Sequence, residues 1–248
     1  VIVNEFLFFI ALFFVYRISA RLFDKAVGFM AVVLMALTEV FWQFTTSGLS
    51  TMLLMALWLW LADVLISLEI GTREGGRTEG SGRSKRWLIL MAAYAGVIVG
   101  IMALTRYSMG WLIIPVAAFL AVICVGARGP AAGVAIAAFA LCLGPWAARN
   151  YQVSGTFFGT AAYAVHHETS SFPGHVLERS MPLDVGLALN QVEIAQYPRK
   201  LFVHGRDILT DELPSAAGNW ITALFAGSLL IPFRNVTLRR LRIFLAGT

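Results

Sequence analysis

Seven apolar stretches, at residues 2–16, 27–45, 49–67, 87–104, 110–126, 131–148 and 216–233, leave this chain little choice of fold. A run of about 20 apolar residues has the length needed to cross a bilayer as one helix. Of the 248 residues, 58% are hydrophobic and only 13% charged, and the mean hydropathy is +0.75, outside the usual balance of a soluble domain. The expected fold is all-α: a polytopic transmembrane helical bundle with a long outer loop that contains a short amphipathic helix. Residues 1–148 would hold six spans, 149–215 the outer (periplasmic) loop, 216–233 the seventh span and 234–248 a basic cytoplasmic segment.

The charges sort by side of the membrane. Arg17, Arg21 and Lys25 follow the first span, and Arg73, Arg77, Arg83, Lys85 and Arg86 fill the link after the third. Arg128 follows the fifth, and Arg234, Arg239, Arg240 and Arg242 follow the seventh. Alternate loops therefore carry most of the 19 basic residues. The positive-inside rule makes those loops cytoplasmic and places the start of the chain outside. The net charge of +5 thus reads as topogenic, with no nucleic-acid partner implied. The link 68–86, rich in Gly, Ser and charge, reads as a flexible connector. It holds no phosphate-binding glycine loop, so nucleotide-driven transport has no support. Val1 already lies inside an apolar run and no basic n-region precedes it, so the chain reads as an internal segment of a longer protein.

The stretch LGPWAARNYQVSGTFFGT, residues 143–160, marks where the sixth span surfaces. The Gly144–Pro145 step is expected to break the helix, with Arg149 and Asn150 at the boundary with water. Arg106, followed by Tyr107, occupies the matching position at the outer end of the fourth span. An arginine can hold a phosphate through two parallel charge-assisted hydrogen bonds, and it can equally snorkel to headgroups. Glu39 lies late in the second span, where an ionisable group is a functional candidate by default. It could take a proton from an attacking hydroxyl or pair with an arginine. Asp63, near the cytoplasmic end of its span, is assigned a structural role. His166, His167 and Glu168 could meet an acceptor or a sugar, but their adjacency fits no metal-binding motif. No metal and no cofactor are expected. Cys124 and Cys142 read as small core residues, and the tryptophans as interfacial belts. From Pro198 onward, RKLFVHGRDILTDEL fits a short helix lying on the outer interface.

Four stretches occur in order: YRISARLFDKAVGFMAVVLMAL, TTSGLSTMLLMALWLWLA, GVIVGIMALTRYSMGWLIIPVAAFL and LGPWAARNYQVSGTFFGT. Together they resemble the GT-C glycosyltransferases that use polyprenyl-phosphate donors, namely the protein O-mannosyltransferases and the lipid A aminoarabinose transferases. The resemblance covers roughly residues 15–160, with LTR at 104–106 and PW-x-x-RN at 145–150 its most specific parts. It implies a membrane enzyme, in the bacterial inner membrane, that transfers a sugar from a polyprenyl-phosphate donor to a hydroxyl-bearing acceptor on the periplasmic face. Arg106 and Arg149 would then bind the donor phosphate, supported by Tyr107 and Asn150. The resemblance also implies a catalytic acid in a first outer loop that would precede Val1, leaving Glu39 a weak candidate here. Where many relatives carry an acid, this chain has Ser50 and Thr51. The rival readings are a secondary transporter or flippase, and a noncatalytic membrane scaffold.

Overall fold

The computed structural model describes residues 2–75, 85–124, 126–155, 157–158 and 196–212, with single residues 214, 223, 227, 240 and 244. Every regular element among them is helical. In order these are α1 (Ile2–Leu22), α2 (Lys25–Leu37), α3 (Glu39–Thr46), α4 (Thr51–Gly75) and α5 (Lys85–Thr105). A 3-10 segment (Tyr107–Leu112), α6 (Ile113–Ile123), α7 (Arg128–Ser154) and α8 (Gln196–Asp207) follow, and a π turn (Ile208–Glu212) closes α8. The chain divides into two compact units, one of residues 1–143 with 229–248 and one of residues 144–228. The division falls at the Gly144–Pro145 step.

In the first unit, side-chain contacts fix the direction of each helix. Asn4 Nδ2 donates to the Leu49 carbonyl at 3.1 Å, Arg17 Nε pairs with Asp63 at 3.1 Å, and Arg21 Nη1 donates to Ser67 Oγ at 3.1 Å. The offset between partners is nearly constant, so α1 and α4 run parallel. The rings of Trp60 and Tyr94 meet edge-on at 5.6 Å where α5 returns beside α4. The turn between α1 and α2 is short. Asp24 caps α2 by accepting the Val27 N–H at 2.8 Å, and Gly28 lets α2 cross close to Tyr16 and Ala20 of α1.

Among the described residues, four helices are long and apolar enough to cross a bilayer: α1, the Thr51–Arg73 part of α4, α5 and α7. The expected second span is not one straight helix. It breaks at Thr38, and α3 leaves α2 at 59°. The carbonyls freed by the break are met locally. Thr38 Oγ donates to the Leu34 carbonyl and the Trp42 indole N–H to that of Ala36, each at 2.7 Å. Such pairing is what lipid demands of any interrupted helix. Because α1 and α4 are parallel, α2 and α3 together must carry the chain back from one end of the unit to the other. The bent pair is therefore a broken span rather than a re-entrant loop, which brings the candidate spans to five.

Three other expectations change. The fifth expected span, 110–126, is the Tyr107–Ile123 piece, equal in length, three residues earlier and begun by a 3-10 turn, whereas the seventh, 216–233, lies almost entirely outside the described residues. The supposed flexible link at 68–86 is helical as far as Gly75, and α5 begins at Lys85. Finally, Pro145 does not end its helix. It forfeits one hydrogen bond, and the good helix formers Ala147, Ala148 and Arg149 carry α7 on to Ser154. The stop comes at Gly155, whose φ of 71° suits the left-handed cap, with its N–H on the Tyr151 carbonyl at 2.9 Å.

The core of the first unit lies between α4, α5 and α6, where Leu65, Val99, Met102, Val116 and Leu120 are fully buried. Phe6, Phe9 and Phe13 of α1 and Phe29, Met30 and Leu34 of α2 face outward, a surface suited to lipid. Close packing is set by α5. A Cβ on Gly96 would collide with the backbone of Ala135 in α7, and one on Gly100 with the Cys142 side chain. This is the small-xxx-small device by which membrane helices approach backbone to backbone. Gly96→Leu or Gly100→Leu is expected to cost about 1–3 kcal/mol or more by overpacking. Gly133→Leu, on the open side of α7, should cost little. Thermal unfolding of the detergent-solubilised protein measures the contrast.

Candidate functional site

The ends of the first unit differ in the number of their bases and in how their buried acids are partnered. At one end lie Arg17, Arg21, Lys25, Arg73, Lys85, Arg86 and Arg128, at the helix termini that the contacts above bring together, joined by Arg240. Arg77, Arg83, Arg234, Arg239 and Arg242 lie outside the described residues.

Two acids of α4 anchor this basic end. Asp63, almost buried, takes Arg21 Nη1 at 2.6 Å and Arg17 Nε at 3.1 Å, while Ser67 Oγ links Arg21 to the Asp63 carbonyl. Its expected structural role is what the geometry gives. Glu69, fully buried, takes Arg73 Nε at 3.0 Å and Arg240 Nη1 at 3.3 Å. A buried carboxylate must be paired to remain ionised, and each of these holds two guanidinium groups. Both are satisfied structural sites. Sequence reasoning overlooked Glu69 because it placed that residue in the flexible link. The Glu69–Arg73 spacing of four residues was the available sign that the helix continues.

The opposite end carries ionisable groups without ion pairs. Glu5, half-buried in the first turn of α1, has no side-chain partner among the described residues. It was passed over in the sequence, although the test that singled out Glu39 applies equally to it. Arg106 sits between α5 and the 3-10 segment in extended conformation, and its carbonyl accepts the Met109 N–H at 2.9 Å. Its guanidinium is exposed, with no acceptor among the described residues. Exposed Tyr107 and Trp111 flank it. Glu39 lies deeper. It opens α3 at the break in the second span, exposed, and accepts the Gln43 amide at 3.1 Å. Its neighbours Phe41 and Trp42 pack against Phe8, at 6.2 and 5.2 Å between ring centroids, which places the start of α3 beside the first half of α1. A carboxylate there benefits from the unsatisfied N–H groups at the start of α3.

Arg149 and Asn150 belong to the second unit and are described within it. Arg149 is exposed on α7, with no side-chain partner among the described residues. Asn150 is engaged: its Nδ2 donates to the Phe157 carbonyl at 3.5 Å, and its own carbonyl accepts Ser154 Oγ at 2.8 Å. Phe157 stacks on Tyr151 at 4.9 Å and Phe158 meets Trp146 at 6.3 Å, folding the chain back over the last turns of α7. Asn150 therefore positions the strand that leaves α7, and its amide is less free for a ligand than the sequence implied. His166, His167 and Glu168 lie outside the described residues.

Searches of the chain against protein-family models, curated proteins and solved structures each returned no match. The glycosyltransferase resemblance rests on the quoted residues alone.

The paired end yields a direct test. Arg240→Ala alone leaves Arg73 on Glu69 and should be mild, whereas Arg73→Ala with Arg240→Ala leaves the carboxylate buried and unpaired. The double variant is expected to lose about 3–5 kcal/mol. Adding Glu69→Gln should recover much of that loss in thermal unfolding, since a neutral amide no longer needs the two cations.

Proposed function

We propose that this protein is a membrane glycosyltransferase that moves a sugar from a polyprenyl-phosphate donor to a hydroxyl-bearing acceptor, a protein, lipid or glycan. In this reading the basic end faces the cytoplasm of a bacterial inner membrane, and transfer occurs on the periplasmic side. The observation that carries the proposal is Arg106. It is an exposed guanidinium, free of any carboxylate among the described residues, at the terminus of an apolar helix and at the end poor in bases.

A polyprenyl-phosphate donor places its phosphate at that depth, with the chain in lipid and the sugar in water. Arg106 would grip two phosphate oxygens in parallel, beside Tyr107. As the bond from the sugar's anomeric carbon to the phosphate oxygen breaks, negative charge grows on the leaving phosphate. A preorganised guanidinium favours that state over the ground state. Arg149 of the second unit is assigned the same task independently, with Asn150 holding the chain beside it. The acceptor hydroxyl needs a base to receive its proton. The resemblance implies a carboxylate for that task, and Glu39 and Glu5 are the acids of this chain to test for it.

One observation favours a second reading, a secondary transporter. The second span is discontinuous, and Glu39 lies at its break, as do the ion sites of transporters built from broken helices.

The deciding experiment follows radiolabelled sugar from a panel of polyprenyl-phosphate donors in membranes containing the protein. Arg106→Ala is expected to lower transfer about ten- to a hundredfold, the worth of a hydrogen-bonded charge, with insertion and abundance unchanged. Arg149→Ala should act in the same direction. Transfer that is indifferent to Arg106 removes the phosphate role. Sugar-independent solute uptake that is abolished by Glu39→Gln would establish the transporter instead.

A further inference from the structure

The second unit contains a helix whose apolar face is exposed. Around α8, Leu201, Gly205 and Ile208 recur at helical spacing with Phe202 beside them, and Leu201 is 75% exposed, Phe202 76% and Ile208 46%. The charged side chains between positions 199 and 206 are all basic: Arg199, Lys200 and Arg206. Arg199 and Arg206 stand three residues before and four after Phe202, along one edge of the apolar face. The acids Asp207, Asp211 and Glu212 come only at the end, where Asp207 accepts from Arg206 at 3.0 Å.

We propose that α8 is an interfacial helix that seats Leu201, Phe202 and Ile208 among acyl chains while Arg199 and Arg206 engage anionic headgroups. Two arguments select a lipid surface over a protein. Three side chains, at roughly 150–250 Å² for the largest type, fall short of the roughly 800 Å² per partner that a stable protein interface buries. The same chain also carries helices long and apolar enough to cross a bilayer, so lipid is the apolar phase at hand. Flanking cations beside a narrow apolar face are the composition by which such helices bind membranes in-plane. The inference is independent of glycosyl transfer: it holds or fails whatever the protein catalyses.

The test uses the whole protein with Cys124 and Cys142 replaced by alanine and a single nitroxide-labelled cysteine introduced at Leu201, Phe202, Val203 or Ile208. It is reconstituted in nanodiscs of phosphatidylcholine alone, or of phosphatidylcholine mixed with phosphatidylglycerol. Collision with oxygen, which concentrates in lipid, is compared with collision with a water-soluble nickel chelate. Labels at 201, 202 and 208 should meet oxygen and be shielded from nickel, while the label at 203, on the other face, meets nickel. Replacing Arg199 and Arg206 by glutamine should shift the seated-to-released ratio about fivefold for each arginine in the anionic discs, and little in the neutral ones. Nickel access at 201 and 202 in both lipids would overturn the proposal. Shielding from both reagents would overturn it too, by showing that protein covers the face.

Discussion

A carboxylate in a low-dielectric interior must find a cation, and α4 carries two such carboxylates on different faces. Asp63 draws in α1 through Arg17 and Arg21. Glu69 draws in Arg240 from the far end of the sequence, where Phe244 also packs on Phe119 of α6 at 5.2 Å. The seating of α1 beside α4 and the placement of Arg240 both serve α4's need to neutralise its own charge. Desolvation makes each pair a modest net contributor to stability, yet a strict condition on geometry, because losing a partner costs far more than keeping it gains. Apolar packing among α4, α5 and α6 provides bulk stability, and the ion pairs choose the arrangement.

That division also separates structure from candidate function. At the basic end the buried acids Asp63 and Glu69 each hold two arginines and have no capacity left for a ligand. At the other end Arg106 has no such partner and Glu5 is likewise unpaired, so whatever neutralises them comes from outside the described chain or from solvent. Charged groups near lipid remain unpaired only where water or a ligand reaches them. Lys25, Lys85, Arg86 and Arg128 are also without ion pairs among the described residues, so what directs attention to Arg106 is an unpaired cation at the end poor in bases.

Much of the helical framework could be read directly because apolar length and the sorting of basic residues are strong, redundant signals. Arg17, Arg21, Lys25, Arg73, Lys85, Arg86 and Arg128 mark one end whether or not any helix boundary is correct. Local signals were weaker guides. Pro145 looked like a stop, but one lost hydrogen bond is a smaller penalty than ending an apolar helix inside its favoured solvent. Thr38 gave no warning of a break, since the bend depends on Trp42 and Thr38 recapturing carbonyls of α2, a three-dimensional coincidence. The end of α4 was misjudged because residues 68–86, rich in Gly, Ser and charge, read as one connector, and Glu69's partner Arg240 is remote in sequence. Likewise the engagement of Asn150 with Phe157 depends on a fold-back set by Gly155, so the residue looked freer than it is.

The separation between Glu69 and Arg240 is 171 residues, and it imposes an order on biogenesis. At synthesis rates of about 5–20 residues per second, Glu69 emerges roughly ten to thirty seconds before Arg240 exists. Through that interval Arg73, one helical turn away, is the partner already in place, a temporary guardian for a charge whose permanent counter-ion has not yet been translated. Arg240 then acts as a clasp, and the pairing of Glu69 is incomplete until that residue has been made.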